Sequence, residues 1–366
     1  MTPQRRVLAS SRPCPQGPWV SPEALVLILV VAVLGRASNA HACAGCSNPN
    51  LPNARTTNAS LGAGTALTAL NLTLTTMRVV HAETCPDIGP ICRERDEPPQ
   101  QHDQRFWVAE LRPIVTVGLS SVFGLEAHLP LRLLRTTIQF RRLDGTPFSP
   151  DYENIHHRNE TLVGLADPWL LGVATGTLGI VRISSRAGVG LPVGRTEEDP
   201  FARARAGLSH QHIQFGTGTF FPVVAVDVGL PLGPARLNAY GQGTFFLYEN
   251  SRGYLAGNRY SVGLSGDMEL VHSGLRLGAA VDALHEQPER WGGVVQQDGN
   301  VGRTDVLAGG TLSYGVGSVV ASLSVKAPVW QHFIETDHRH GSDPGQLTYP
   351  AIVNLAVQTA WGGRER

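Results

Sequence analysis

Histidine is the residue type in this chain most able to do chemistry. Of 13 His, ten fall in or beside long polar stretches: His81, His102, His156, His157, His210, His212, His285, His332, His338 and His340. Three clusters stand out, His156-His157, His210-Gln211-His212 and His338-Arg339-His340, with Asp151, Glu153, Asp199, Glu335 and Asp337 nearby. Imidazole with carboxylate is the ligand set of Zn²⁺, Cu²⁺ or Ni²⁺. A divalent transition metal held by His156, His157, His210, His212, His338 and His340 is therefore the cofactor to expect, if there is one. The competing reading is simpler: polar loops collect histidine without binding metal.

Cysteine offers the second set. Cys43-Ala-Gly-Cys46 forms a C-x-x-C pair, and Cys85 and Cys92 lie further on. Such a pair serves as a structural disulfide, a metal site or a redox couple. No βαβ pattern surrounds it, and no His follows Cys46 as haem attachment requires. Catalysis has little to rest on. His128 beside a serine is the one pair that could be imagined, yet no G-x-S-x-G stands at a strand-to-helix turn. P-loop and dinucleotide fingerprints are absent. A formal net charge of zero gives no support to nucleic-acid binding. The chain does not read as an enzyme, and no residue is assigned a catalytic role.

The elements that carry these residues follow from composition and periodicity. The 366 residues are 42% apolar and 16% charged, and include 41 Gly and 25 Pro, too many for a mainly helical protein. After residue 65 one pattern recurs, 10–18 residues with an apolar side chain at every second position. Phe123, Leu125, Ala127, Leu129, Leu131 and Leu133 alternate with Gly124, Glu126, His128 and Arg132. Tyr260, Val262, Leu264, Gly266, Met268 and Leu270 do the same, as do Ala351, Val353, Leu355 and Val357. Alternation means strands with one apolar and one polar face. Strands of soluble proteins usually run about 5 to 6 residues. These are longer, as tilted strands crossing a membrane must be, which sets a soluble β-sandwich aside.

Twelve such segments are predicted: 66–80, 106–118, 122–141, 160–174, 177–191, 215–230, 234–248, 258–271, 274–286, 304–314, 318–330 and 349–362. Their connections alternate between short and long. The short ones fall at 119–121, 175–176, 231–233, 272–273 and 315–317, and the long ones at 81–105, 142–159, 192–214, 249–257, 287–303 and 331–348. In an up-and-down antiparallel β-barrel every second connection lies at the same rim. All long loops then share one end and all short turns the other, the asymmetry of transmembrane barrels of the outer membrane. Trp107, Phe140, Trp169, Phe221, Phe246, Tyr260, Trp330, Tyr349 and Trp361 lie near strand ends, where aromatic girdles are expected.

Targeting agrees with that location. Arg5, Arg6 and Arg12 precede an apolar run from Ala24 to Leu34, then Ala37-Ser38-Asn39-Ala40-His41-Ala42. A basic flank, a short apolar core and an A-x-A site describe a secretory signal peptide. Cleavage after Ala42, with Ala40 as the alternative, divides the chain into a leader (1–42), a periplasmic segment (43–65), a barrel (66–362) and a short tail (363–366). A lipoprotein signal would also place Cys43 first, although Ala40 stands where such signals carry Leu. The expected site is the bacterial outer membrane, with its lipid and the barrel-assembly machinery as partners.

Alternation then points Glu110, Arg112, Glu126, His128, Arg132, Arg182, Arg186, Arg236, Asp267, Glu269, Arg276, Asp282 and Lys326 into the lumen. Arginine facing lipid near the midplane costs about 2 to 4 kcal/mol. Mixed signs allow two uses, ion-paired filling of a narrow barrel or a polar pore. The expected function is a passive channel or transporter for a small solute whose identity is not legible. The alternative is a non-transporting surface barrel whose His-rich loops bind a metal or a partner.

Two segments also carry a resemblance. Val163-Gly164-Leu165-Ala166-Asp167-Pro168-Trp169-Leu170-Leu171-Gly172 and Ala187-Gly188-Val189-Gly190-Leu191-Pro192-Val193-Gly194-Arg195 resemble the G-x-x-D-x-x-L-G and G-x-x-L-P-x-G strand pairs of bacterial outer-membrane transporter barrels, including a group named for a phenol-degradation pathway. The resemblance covers residues 105–362 and implies a porin-like barrel without catalytic residues. Such barrels usually end in an aromatic residue, whereas here Trp361 is followed by Gly-Gly-Arg-Glu-Arg.

The topology also bears on the cysteines. Cys14 is lost with the leader, and export places the other four in an oxidising compartment. Cys43 and Cys46 precede the first strand, while Cys85 and Cys92 sit in the first long loop, across the membrane. The expected disulfides are Cys43–Cys46 and Cys85–Cys92, the second worth roughly 2 to 3 kcal/mol by loop closure. Peptide mapping of purified protein should find Cys85 bonded to Cys92; either one bonded to Cys43 or Cys46 would refute the strand topology together with the pairing.

Overall fold

The computed structural model describes residues 62–83, 100–150, 157–270, 274–296, 299–334 and 346–362, with only the backbone for 81–83. The leader, the four mature cysteines, His156, His338, His340 and the tail 363–366 lie outside the described residues.

Each strand pairs with its chain neighbour, as alternating sequences joined by tight turns must. β1 (Ala66–Glu83) pairs with β2 (Gln100–Gly118). The next stave is in two pieces, β3 (Phe123–His128) and β4 (Leu131–Arg142), both antiparallel to β2, and the short β5 (Pro147–Phe148) folds onto β4. The fourth stave is also split, into β6 (Glu160–Leu165) on β4 and β7 (Trp169–Leu178) on β3. Round the wall follow β8 (Val181–Gly190), β9 (Phe221–Leu232), β10 (Ala235–Thr244), β12 (Arg259–Leu270) and β13 (Leu275–Glu286). β15 (Arg303–Val316), β16 (Val319–Phe333) and β17 (Ile352–Trp361) complete it. β17 returns to β1 from Ala66↔Trp361 to Thr75↔Ile352, closing an antiparallel barrel of twelve staves. The helix α1 (Pro200–Arg205) and a two-stranded sheet of β11 (Tyr254–Leu255) and β14 (Arg290–Trp291) belong to the connecting loops.

Turn chemistry fixes the short rim. Gly179, Gly233 and Gly317 open the two-residue turns with φ of 60°, 62° and 58°, a conformation that hairpins need and side chains resist. The outward face is apolar: Leu125 and Leu264 are 57% and 68% exposed, as lipid contact requires. Trp330 and Trp361 stand outward near strand ends, whereas Trp107, also outward, lies well inside β2. Four other aromatics predicted for the girdles are instead buried: Trp169, Phe221, Phe246 and Tyr349. Trp169 has inward parity, paired with His128 and Gly190, and the other three pack in apolar clusters with loop residues.

The two split staves depart from the continuous strands 122–141 and 160–174. The breaks fall at Leu129-Pro130 and Ala166-Asp167-Pro168, where proline cannot donate to the ladder. Ala166 N–H still donates to Pro130 O at 2.9 Å, which keeps the wall joined. Likewise, the predicted strands 215–230 and 234–248 are shorter than expected, because 215–220 and 245–248 leave the wall.

The connection 191–220 runs inward. Its Ile213 and Phe215 pack against Met77, Val79, Phe106, Val108, Leu134 and Leu307, an apolar patch on the inner wall. The break before β7 supplies the latch. Asp167 Oδ1 accepts Gly194 N–H at 2.9 Å, and Oδ2 accepts both Thr217 N–H and Thr217 Oγ1–H at 2.7 Å. Glycine makes the close approach feasible. A Cβ on Gly194 would stand 2.6 Å from Gly216 Cα, and one on Gly164 would stand 2.4 Å from the Phe215 ring. Asp167→Ala should leave two buried backbone donors, the N–H groups of Gly194 and Thr217, unpaired at about 1–3 kcal/mol each, while the Thr217 hydroxyl keeps Thr219 O at 3.3 Å. Hydrogen exchange should then speed by about tenfold or more over residues 194–217 while the barrel staves stay protected.

Candidate functional site

By cross-strand register, the thirteen polar residues predicted to line the lumen share the face that carries the buried side chains. The structure gathers them into separate groups. Near the short rim Asp267 meets Arg236 at 3.1 Å and also Arg276, which reaches Glu269 at 3.3 Å. Lys326 pairs with Asp282 across β15. Arg182 stands exposed near the short rim.

Midway along the wall, Glu126 accepts from Thr116 Oγ1 at 2.9 Å and from Arg186 Nε at 3.1 Å. His128 Nε2 lies 2.8 Å from Glu126 Oε1, so this nitrogen carries the hydrogen toward the carboxylate. Arg186 Nη1 continues to Asp227 at 2.6 Å. One step toward the long loops, Glu110 accepts from Arg112 at 2.6 Å and from Arg132 at 2.7 Å. All four carboxylates and guanidiniums of the Glu110–Arg112 and Glu126–Arg186 pairs are nearly inaccessible. Buried charges of this kind persist only when paired, and truncating one partner would leave the other stranded.

Trp169 separates the two levels. Its indole stacks on His128 (centroids 5.2 Å apart, planes at 27°) and lies 4.7 Å from the Arg112 guanidinium carbon. Below it is a cavity lined by Glu126, His128, Arg186, Asp227, Tyr240 and Gln242. Above it, toward the loops, is a second, with about 460 Å³ of space between atoms, part of it open to solvent. Arg112, Arg132, Asp167, Thr244 and Arg259 line the upper space with Phe215, Phe221, Phe246 and Tyr254. Trp169 borders both.

The loops that roof the upper cavity form an aromatic cap. Tyr254 and Trp291 pair across β11 and β14 with rings 4.8 Å apart, and Phe201 of α1 sits 6.3 Å from Trp291. Arg259, beneath this cap, pairs with Glu286 at 2.9 Å.

The described histidines pack as rings. His157 lies edge-on to His102 with centroids 4.6 Å apart. His210 and His212 are 5.4 Å apart, and His212 packs against Phe201. Among the described residues no group of three or more His, Cys, Asp and Glu is placed to hold a metal ion. The residues that sequence reasoning missed are Asp167, Thr244 and Arg259, together with the inward role of Trp169. Asp167 and Trp169 both stood inside the quoted Gly-rich motif, and Pro168 between them was the unused signal.

No family model matches the sequence, and no curated protein matches it. Among solved structures the chain is similar to the COG4313 outer membrane channel from Pseudomonas putida F1: 12% identity over 85% of this chain and 100% of that one, TM-score 0.55. It is more distantly similar to a Pseudomonas aeruginosa FadL homologue, at 9% identity over 81% and 89% of the chains, TM-score 0.36. At 12% identity the likeness to the first of them is one of fold alone.

The cap holds an acid with an altered proton affinity. Glu289 is buried, accepts from Asn300 N–H at 3.3 Å and from Tyr254 Oη at 3.3 Å. Burial pushes its carboxyl up to about 7; the nearby charge of Glu286 adds to this and the Asn300 N–H opposes it. A raised value in the folded cap means that its contribution is complete below the ordinary carboxylate range and is lost as pH rises through about 7. Hydrogen exchange in 287–296 and 299–302, corrected for its intrinsic pH dependence, should increase between about pH 5 and about pH 8. Glu289→Gln should flatten that profile.

Proposed function

We propose that this chain is an outer-membrane channel for a small solute, occluded at rest, with its solute path running past Trp169 from the long-loop side to the short-turn side. The observation that carries the reading is the pair of cavities that share Trp169 as their common wall inside a closed barrel. The apolar outer face and the export leader over residues 1–42 support placement in outer-membrane lipid after insertion by the assembly machinery. That the structurally similar Pseudomonas putida protein is an outer membrane channel supports it also. No catalytic role is assigned.

Passage requires two movements, displacement of the loop pinned by Asp167 and rotation of the Trp169 ring. The ion pairs around the ring neutralise one another, so a solute meets polar but largely charge-balanced walls. Purified protein with heat-modifiable gel mobility should show small conductance in a planar bilayer. Trp169→Ala, which merges the two cavities at a cost of about 3–5 kcal/mol in stability, should raise that conductance severalfold. A correctly folded barrel that stays silent with and without Trp169 would end the channel reading and favour a surface barrel that works through its loops.

A further inference from the structure

We propose that the upper cavity binds a small aromatic carboxylate, a monoanion whose ring lies among the cavity aromatics and whose carboxylate meets Arg112 and Thr244. This deepens the channel reading by naming its solute class, and rests on it only for transport. Three guanidiniums, those of Arg112, Arg132 and Arg259, line the space. The carboxylates that pair with them, Glu110 and Glu286, belong to the wall behind and do not line it. Asp167 does line it, but both its oxygens are already engaged by Gly194 and Thr217.

What remains unsatisfied is mostly donor capacity. Arg112 Nη1 is fully buried and has no hydrogen-bond partner, and neither has Thr244 Oγ1. A guanidinium has five N–H donors and no acceptor, so Arg112 can be completed only by an acceptor. A buried donor left unpaired is costly, and a charge-assisted bond to a carboxylate is roughly twice as strong as a neutral one. The planar guanidinium fork also suits a carboxylate geometrically.

The rest of the lining sets the other half of the guest. Arg112 already lies over the Trp169 ring, and Arg259 lies 5.3 Å from the centre of the Phe246 ring. Phe221 and Phe246 pack with centroids 4.7 Å apart. An aromatic ring gains from offset or edge contacts with such walls. The guanidiniums of Arg112, Arg132 and Arg259 stand against three carboxylates, Glu110, Glu286 and Asp167, so a monoanion adds one charge to a balanced site and a dianion such as a phosphate monoester would add two. An aliphatic acid such as acetate would leave the aromatic wall unused.

The test is calorimetric titration of the full chain in detergent with benzoate, benzyl alcohol and acetate. Benzoate should bind saturably at one per chain, and the other two about tenfold more weakly or less. Thr244→Val and Arg112→Lys, checked for heat-modifiable mobility, should each weaken benzoate by about tenfold and leave benzyl alcohol unchanged. Benzoate binding no tighter than benzyl alcohol to the unmodified protein would overturn the proposal without any variant. So would benzoate affinity that is unchanged in both folded variants. Benzoate binding in a barrel that is silent in bilayers would uphold the ligand while ending the channel reading. Conductance without preference for benzoate would do the reverse.

Discussion

A strand that faces lipid has only one side on which charge can be placed, and twelve such strands enclose a narrow space. Much else in this structure follows from that restriction. Glu110, Glu126, Asp282 and their cationic partners sit in the interior because lipid excludes them. Once inside they are taken out of water and must neutralise one another. Pairing then consumes most of their hydrogen-bonding capacity. Buried groups without a hydrogen-bond partner remain at several positions, and two of them, Arg112 Nη1 and Thr244 Oγ1, belong to residues that line the upper cavity.

Crowding has a second effect, visible in the glycines. Gly164, Gly190, Gly194 and Gly216 lie where ring or backbone presses closely on the chain; a Cβ on Gly190 would stand 2.0 Å from the Phe221 ring. The Gly-rich motifs of the fourth and fifth long segments are thus understandable as packing devices. They let an inward-folded connection lie against the wall, and Asp167 in the same motif ties that connection down. A motif that resembles a family signature in sequence turns out to be the seat of the obstruction in the lumen.

Most of the barrel was legible because its determinants are local. The period of two in Leu125–Leu133, the paired long and short connections, and the glycines of the tight turns each specify structure within a few residues of themselves. The interior arrangement was not legible, for a physical reason. Inner-wall Met77, Phe106 and Leu134 are as apolar as outward Leu125 or Leu264, so periodicity alone cannot tell that the first group meets Phe215 and the second meets lipid. Trp169 and Phe221 have the same ambiguity: an aromatic near a strand end reads as a girdle until the parity is fixed by its partners. The prolines at 130 and 168 did carry local information, since neither can complete a ladder, and they mark the two interrupted staves.

The inward position of Ile213 and Phe215 has a consequence for how the molecule comes together. These side chains, from the middle of the chain, share a packed cluster with Met77 of the first stave and Ile352 of the last. The seam where β17 meets β1 is therefore buttressed from within by a segment belonging to neither strand. An unsealed sheet would cost that segment part of its packing, and a sealed one without it would leave the inner-wall patch uncovered. Sealing and filling therefore reinforce each other: packing on Ile213 and Phe215 favours the closed seam over an open one.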